Sequence, residues 1–359
     1  MSMIHSNDVP IAVHDNAAGA PARLDLRDTG KLAGCVSQGV CGSCYAIVAT
    51  QTLYDRLSLA GEPVTTLSHQ LVTDCSNNCV MYRGNAKGCS EDCSGGFVTA
   101  ALEFLVQHGT VSSGVYQSKH SGSGVHWDAS QGEVRTICTM DAAAQNSKRF
   151  KADSHYGVTL DRDMGGPILL HTAPNDMSPK FLKDNAKNIA AEIALNGPVC
   201  ATFNMFSDLP EYLAHSDQSE PYRVGWESTE LDWGRFEGDP KWTSTNPGPD
   251  GKTHFVMAHA VSLVGYGTTH SGQKYWLVRN SWGPSSCSFK FARGINASSV
   301  EAMVEAPGIK QLDAHGAQRR PAAVMVKPPP SAEDIGGIVG GTLVGFVLVV
   351  IFVLFFIKR

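Results

Sequence analysis

The spacing of apolar positions changes character near Gly197. Before it, apolar residues recur at helical intervals. Between Cys44 and Leu59 they fall at Ile47, Val48, Leu53 and Leu57, and Gly61 supplies a stop, so a long helix is expected to open at Cys44. Ser94-Gly95-Gly96 leads into FVTAALEFLVQHG, a second helix ending at Gly109, and Ser178-Pro179 opens a third that closes at Gly197. Beyond that point short runs (VCATF, HAVSLVGYG, KYWLVRN) read as strands separated by turn residues. Helices followed by a sheet indicate an α+β chain of two lobes, one helical and one an antiparallel β-sheet. No internal repeat is visible.

Residues 335–357 form the longest apolar run, broken only by Thr342 and closed by Lys358 and Arg359. At about 1.5 Å rise per residue this stretch crosses a hydrocarbon layer of roughly 30 Å, so a C-terminal transmembrane helix is expected. The basic pair places the short tail in the cytosol and the body on the lumenal or extracellular side, in a lysosome or vacuole, the endosomal system or at the cell surface. Within the run, Gly336 with Gly340 and Gly341 with Gly345 are small-xxx-small pairs suited to a helix-mediated dimer. Residues 309–334, which include KPPPSAED, lack periodicity and read as a stalk. The first 20 residues have neither the basic start nor the apolar core of a secretory signal, and are read as an extension whose signal and pro-segment are missing.

Composition narrows the function classes. With 359 residues, 42% of them hydrophobic, the chain fills a sizeable core. A net charge of -5 with no long basic run leaves a nucleic-acid surface nothing to build on. Seven of the ten cysteines (Cys35, Cys41, Cys44, Cys75, Cys79, Cys89 and Cys93) crowd the N-terminal third, which points to an oxidising compartment. The gaps Cys75/Cys79 and Cys89/Cys93 also suit a four-cysteine zinc site, the less favoured reading; no metal or cofactor is expected.

Chemistry concentrates around Cys44. A cysteine at a helix N-terminus feels the positive end of the macrodipole, which favours thiolate over thiol. The octet Gln38-Gly39-Val40-Cys41-Gly42-Ser43-Cys44-Tyr45 resembles the signature of the papain family of cysteine proteases. The likeness runs from Pro21-Ala22-Arg23-Leu24-Asp25 to Val304-Glu305-Ala306-Pro307. It implies a two-lobed papain-like fold, and endopeptidase action on protein or peptide substrates through a Cys-His-Asn site and an acyl-enzyme. By the same resemblance His259 is the imidazole, Asn280 orients it and Trp282 shields their hydrogen bond. Gln38 adds a side-chain amide to the oxyanion hole. Gly95 and Gly96 form the backbone wall, and Met303 the floor, of the pocket for the second residue before the scissile bond.

The resemblance also implies the disulfides Cys41–Cys93 and Cys75–Cys138, with Cys79–Cys89 as a local clip. Cys35, Cys200 and Cys287 remain, and with Cys44 free the other nine cysteines cannot all pair. Asn296-Ala297-Ser298 is a glycosylation sequon.

Several features depart from the family pattern. Tyr45 replaces the usual tryptophan, as in the dipeptidyl-peptidase cathepsins, and PSSCSF follows Gly283 where a second tryptophan-glycine motif belongs. Cys44 and His259 stand 215 positions apart, well beyond the roughly 130 to 150 of the pattern. Polar segments beginning at Lys151 and Ser219 supply the excess, as lids or surface excursions. The rival readings are a membrane-displayed inactive binding module of the same fold and a tail-anchored cytosolic protein.

Overall fold

The computed structural model describes residues 3–5, 8–14, 20–81, 87–90, 92–117, 138, 142–160, 178–214, 219–223, 231–235, 253–310 and 324–326. The expected transmembrane helix at 335–357 and its glycine pairs lie outside these residues, as does most of the stalk. Among the described residues no helix is long and apolar enough to cross a membrane.

Six helices are described: α1 (Cys44–Leu59), α2 (His69–Cys75), α3 (Val98–Gln107), α4 (Ala142–Asn146), α5 (Pro179–Asn196) and α6 (Leu209–Ala214). Helix α1 is buried on nearly every side from Tyr45 to Leu53, which explains why its apolar positions do not make a single stripe. It packs with α2 and α3 through Val48, Leu53, Leu67, Val72, Ala101, Leu102 and Leu105, the core of the helical lobe. Helix α5 begins as its sequence dictates, with Ser178 Oγ accepting from Phe181 N at 3.2 Å and Pro179 in the first turn.

The strands, in chain order, are β1 (Met3–His5), β2 (Ile11–Val13), β3 (Leu24–Asp25), β4 (Cys79–Met81), β5 (Lys87–Cys89), β6 (Ser154–Gly157) and β7 (Val199–Phe206). They continue with β8 (Leu231–Arg235), β9 (Thr253–Thr268), β10 (Lys274–Arg279), β11 (Ser288–Ala292), β12 (Met303–Gly308) and β13 (Val324–Val326). A small sheet runs β1-β4-β5; the large one runs β11-β10-β9-β7-β12-β6-β2-β13, with β3 and β8 also on β9. Its core is aromatic and aliphatic: Phe203, Val261, Leu263, Trp276, Val278, Phe289 and Phe291 are buried together.

Two expectations need correcting. The large sheet is mixed, because β2 pairs β6 and β8 pairs β9 in parallel. Both parallel strands come from additions to the antiparallel frame, one from the N-terminal extension and one from the segment before His259. The polar segment beginning at Lys151 is also not wholly a loop, since β6 pairs antiparallel with β12 and buries Tyr156, and Val158 just beyond it is buried too. Its alternation is hidden because His155 is buried as well, bonded through Nε2 to Glu103 at 2.9 Å. Of the second segment, Tyr222 is fully buried against the sheet lobe, its N–H donating to Lys290 O; most of the rest lies outside the described residues.

Two adjacent charges on α1 clamp the lobes together. Asp55 accepts from Arg279 Nη1 at 3.1 Å and Nη2 at 2.7 Å, and from Ala33 N at 2.7 Å. Arg56 donates to Glu192 at 2.8 Å, to Tyr156 at 2.7 Å and to the carbonyls of Pro198 and Pro307. Burial works to raise the Glu192 carboxyl, yet Arg56 and hydrogen bonds from His14, Tyr156 and Asn196 prevail and hold it at about 2. A carboxyl held below its ordinary 4.5 adds stability in full above that pH, and the contribution drains away as pH falls from there towards 2. Replacing Glu192 with Gln leaves Arg56 buried without its partner, and should cost about 3–5 kcal/mol at neutral pH. The deficit relative to wild type should narrow as pH falls below 4.5, read from denaturant midpoints across a pH series.

Candidate active site

Cys44 is the first residue of α1, and the helix start is bare: Ser43 makes no side-chain cap bond. The thiol is instead reached by the backbone amides of Ala260, Tyr45 and Cys44 itself. Burial pushes the thiol upward, and the three amides act against that rise. Because Ala260 follows His259 on β9, the same contact brings the helix start to the histidine.

His259 sits on β9 opposite Phe203 of β7, whose ring meets the imidazole edge-on at 5.6 Å between centroids. Its Nε2 lies 2.9 Å from Asn280 Oδ1, at the end of β10. Asn280 is itself held, with Oδ1 accepting from Ser281 N at 2.8 Å and its own N–H donating to Cys287 O at 2.7 Å. An acceptor oxygen facing Nε2 requires the proton on that nitrogen, so the neutral ring keeps Nδ1 as its free acceptor. Trp282 stacks on the imidazole at 4.7 Å and 25° between planes. With His259 only 2% exposed, burial lowers its pKa to about 4 against the raising effect of the Asn280 bond.

Gln38 is fixed at both ends of its amide. Ser281 Oγ donates to Gln38 Oε1 at 2.6 Å, and Gln38 Nε2 donates to Cys41 O at 2.9 Å. Since Nε2 carries two hydrogens, one remains for another acceptor. Gly95 has φ +122° with open space beside it, while a Cβ on Gly96 would stand 2.7 Å from the Tyr45 ring. The residue that replaces tryptophan after Cys44 therefore packs against Gly96. Met303 opens β12 and packs on Val80 and Ala100 from one side and on Ala302 near Phe181 and Leu182 from the other.

Four disulfides join Cys41 to Cys93, Cys75 to Cys138, Cys79 to Cys89, and Cys35 to Cys287. The cysteines weighed as a zinc site thus divide among three separate bridges. Cys44 and Cys200 are the free thiols, and Cys200 is buried, its Sγ 3.4 Å from Thr52 Oγ1. The Cys35–Cys287 bridge escaped the sequence reading. Its signal was the position of Cys200 inside the apolar run VCATF, which removes it from the three leftover cysteines and leaves the other two to pair. The bridge ties PSSCSF, the stretch that lacks the second tryptophan-glycine motif, to the Gln38 loop.

Asn296 is 3% exposed, at φ 51°, and its Oδ1 accepts from Glu301 N at 3.0 Å.

The model of the papain family cysteine protease matches residues 20–247 and 249–307. The chain belongs to the papain family of cysteine proteases. It is a cysteine-type peptidase, a hydrolase. It is 28% identical to a gut-specific cysteine proteinase of Caenorhabditis elegans over 80% of this chain and 74% of that one. To cathepsin B-like cysteine proteinase 4 of the same organism it is 25% identical, over 83% and 78% of the two chains. Among solved structures, proCathepsin B S9 from Trypanosoma congolense superposes with TM-score 0.52 at 17% identity, covering 84% of this chain and 82% of its own. That likeness shows the fold.

The Cys35–Cys287 bridge of this peptidase spans 252 positions and joins the two segments that hold Gln38 and Trp282. Long loops gain most from closure in the chain-entropy account, so replacing both cysteines with serine should lower stability by about 2–5 kcal/mol. Urea denaturation of the double variant checks this.

Proposed function

We propose that the protein is a membrane-anchored endopeptidase in which Cys44 attacks the scissile carbonyl and His259 manages the proton. One observation carries the reading: the uncapped start of α1 aims backbone amides at the Cys44 thiol, beside a histidine whose Nε2 is already committed to Asn280. A lone thiolate or a lone imidazolium is costly in so buried a site. Transfer of the proton from Cys44 Sγ to His259 Nδ1 creates the two charges together, each compensating the lost hydration of the other. The imidazolium then protonates the leaving amine, and water releases the acyl group. Asn280 fixes the ring without neutralising it, and Trp282 keeps water from the bond between them. Gln38 Nε2 and the Cys44 N–H form the oxyanion hole, where charge develops on the carbonyl oxygen. Gly95 and Gly96 offer backbone to the substrate, and the thioether of Met303 favours Leu, Val or Phe as the second residue before the scissile bond.

Anchoring rests on the apolar run 335–357 and its basic tail, with the disulfides supporting a lumenal or extracellular body. Digestion of sealed membranes by added protease decides the orientation, and a body cut from the cytosolic side would overturn it.

Cys44→Ala should abolish peptidase activity and labelling by an epoxysuccinyl thiol probe while leaving the fold intact; labelling retained in the variant would refute the assignment. Gln38→Ala should lose about 2.7–4 kcal/mol of transition-state stabilisation, more in kcat than in KM, on active-site-titrated protein. A structural glutamine would alter stability and leave kcat per folded molecule unchanged. The pH profile gives a third outcome. His259 is neutral above about 4 and protonated below, so kcat/KM should fall on the acid side through pH 4, rather than near the ordinary histidine value of 6.5.

A further inference from the structure

Two pieces of the N-terminal extension are built into the folded domain. Residues 8–14 lie against the sheet lobe with Val9 and Ile11 each 3% exposed and Ala12 fully buried. Gly157 N donates to Pro10 O at 2.8 Å, Asn188 Nδ2 to Ala12 O at 2.8 Å, and His14 N to Asn188 Oδ1 at 2.8 Å. The His14 ring adds Nε2 at 2.8 Å from Glu192 Oε2, so it joins the carboxylate that Arg56 of the helical lobe also holds. Asn188 and Glu192 are one turn apart on α5 and grip the arm from the same face.

A few residues upstream, β1 adds a third strand to the β4-β5 hairpin, with Ile4 opposite Val80. The Cys79–Cys89 bridge closes that hairpin. Val80 and Ala100 are fully buried, and Ile4, Phe97 and Met303 all pack against them. Phe97 directly follows the glycine pair, and Met303 is the residue proposed as the pocket floor. With β1 ending at His5 and the buried stretch resuming by Val9, the connection reaches roughly 14 Å at most, so fastening at 8–14 holds Ile4 close to this patch.

We propose that this arm is a lasting part of the cleft wall and that Ile4 is a specificity-determining residue for the second substrate position before the scissile bond. The inference rests on the pocket assignment given under the proposed function. Ile4 backs the wall and floor that Phe97 and Met303 present, so its bulk limits how far the pocket opens. The arm keeps its place because releasing it would strip buried partners from Asn188, Glu192 and the edge of β6.

The test uses the full chain and peptide substrates that differ only in carrying Val or Phe at that position. Ile4→Ala should raise the Phe-to-Val ratio of kcat/KM about tenfold, and Ile4→Trp should lower it. His14→Ala, which loosens the fastening, should shift the ratio in the same direction as Ile4→Ala. A ratio unmoved by both Ile4 variants overturns the proposal, and so does a common rise for all substrates, the result expected of a removable plug. Alkylation of Cys44 by iodoacetamide separates the two levels of failure. If Cys44 alkylates and substrates are cleaved with selectivity unmoved, only the role of Ile4 falls. If wild-type Cys44 is unreactive and no substrate is cleaved, the catalytic reading falls and this inference with it.

Discussion

Two neighbouring charges on one buried helix hold this enzyme together. Asp55 and Arg56 lie near the end of α1 remote from Cys44, and each is paired across the lobe boundary, to Arg279 and to Glu192. Buried ion pairs are weak evidence of stability by themselves, because desolvation offsets much of the attraction. Their value here is geometric. A charge without access to water tolerates only the arrangement that supplies its partner, so the pairs fix how α1 sits on the sheet. Arg279 is the residue before Asn280, and Glu192 lies on α5, which leads directly into β7. The clamp that joins the lobes therefore also fixes the strand end that carries Asn280.

Local chemistry then builds on that placement. An uncapped α1 leaves amides for the Cys44 thiol, and β9 brings Ala260 to the same sulfur. Asn280 spends its oxygen on the ring and on Ser281 N, while Ser281 Oγ orients Gln38. A short stretch of chain after β10 thus sets both the imidazole and the amide proposed for the oxyanion hole. The Cys35–Cys287 bridge and the bond from Asn280 N to Cys287 O hold this stretch from the far side. The loss of the second tryptophan-glycine motif is met by a covalent tie.

Much of this was legible in the sequence because it is local. Helix α1 could be placed from apolar spacing and Gly61, and α5 from Ser178-Pro179, since caps and stops act within a turn. Strands β7, β9 and β10 announced themselves as short apolar runs. The alignment of Cys44, His259 and Asn280 in family order was visible without coordinates. The parallel strands β2 and β8 were not: β2 is three apolar residues whose partner lies far along the chain at Gly157, and β8 is a five-residue piece of a long polar segment.

What the sequence determined by itself, then, was the family, the α+β frame and the set of candidate reactive side chains, all of which follow from short-range spacing. The tertiary structure decided which of the leftover cysteines pair, that Asn296 turns inward, and that the N-terminal extension belongs to the sheet. It also decided that His14 meets Glu192 and that Ile4 meets the patch beneath Met303. Apart from the turn at Asn296, these are contacts between residues tens to hundreds of positions apart, set by how buried polar groups and apolar surface are satisfied once the lobes have closed, and no local pattern carries that information.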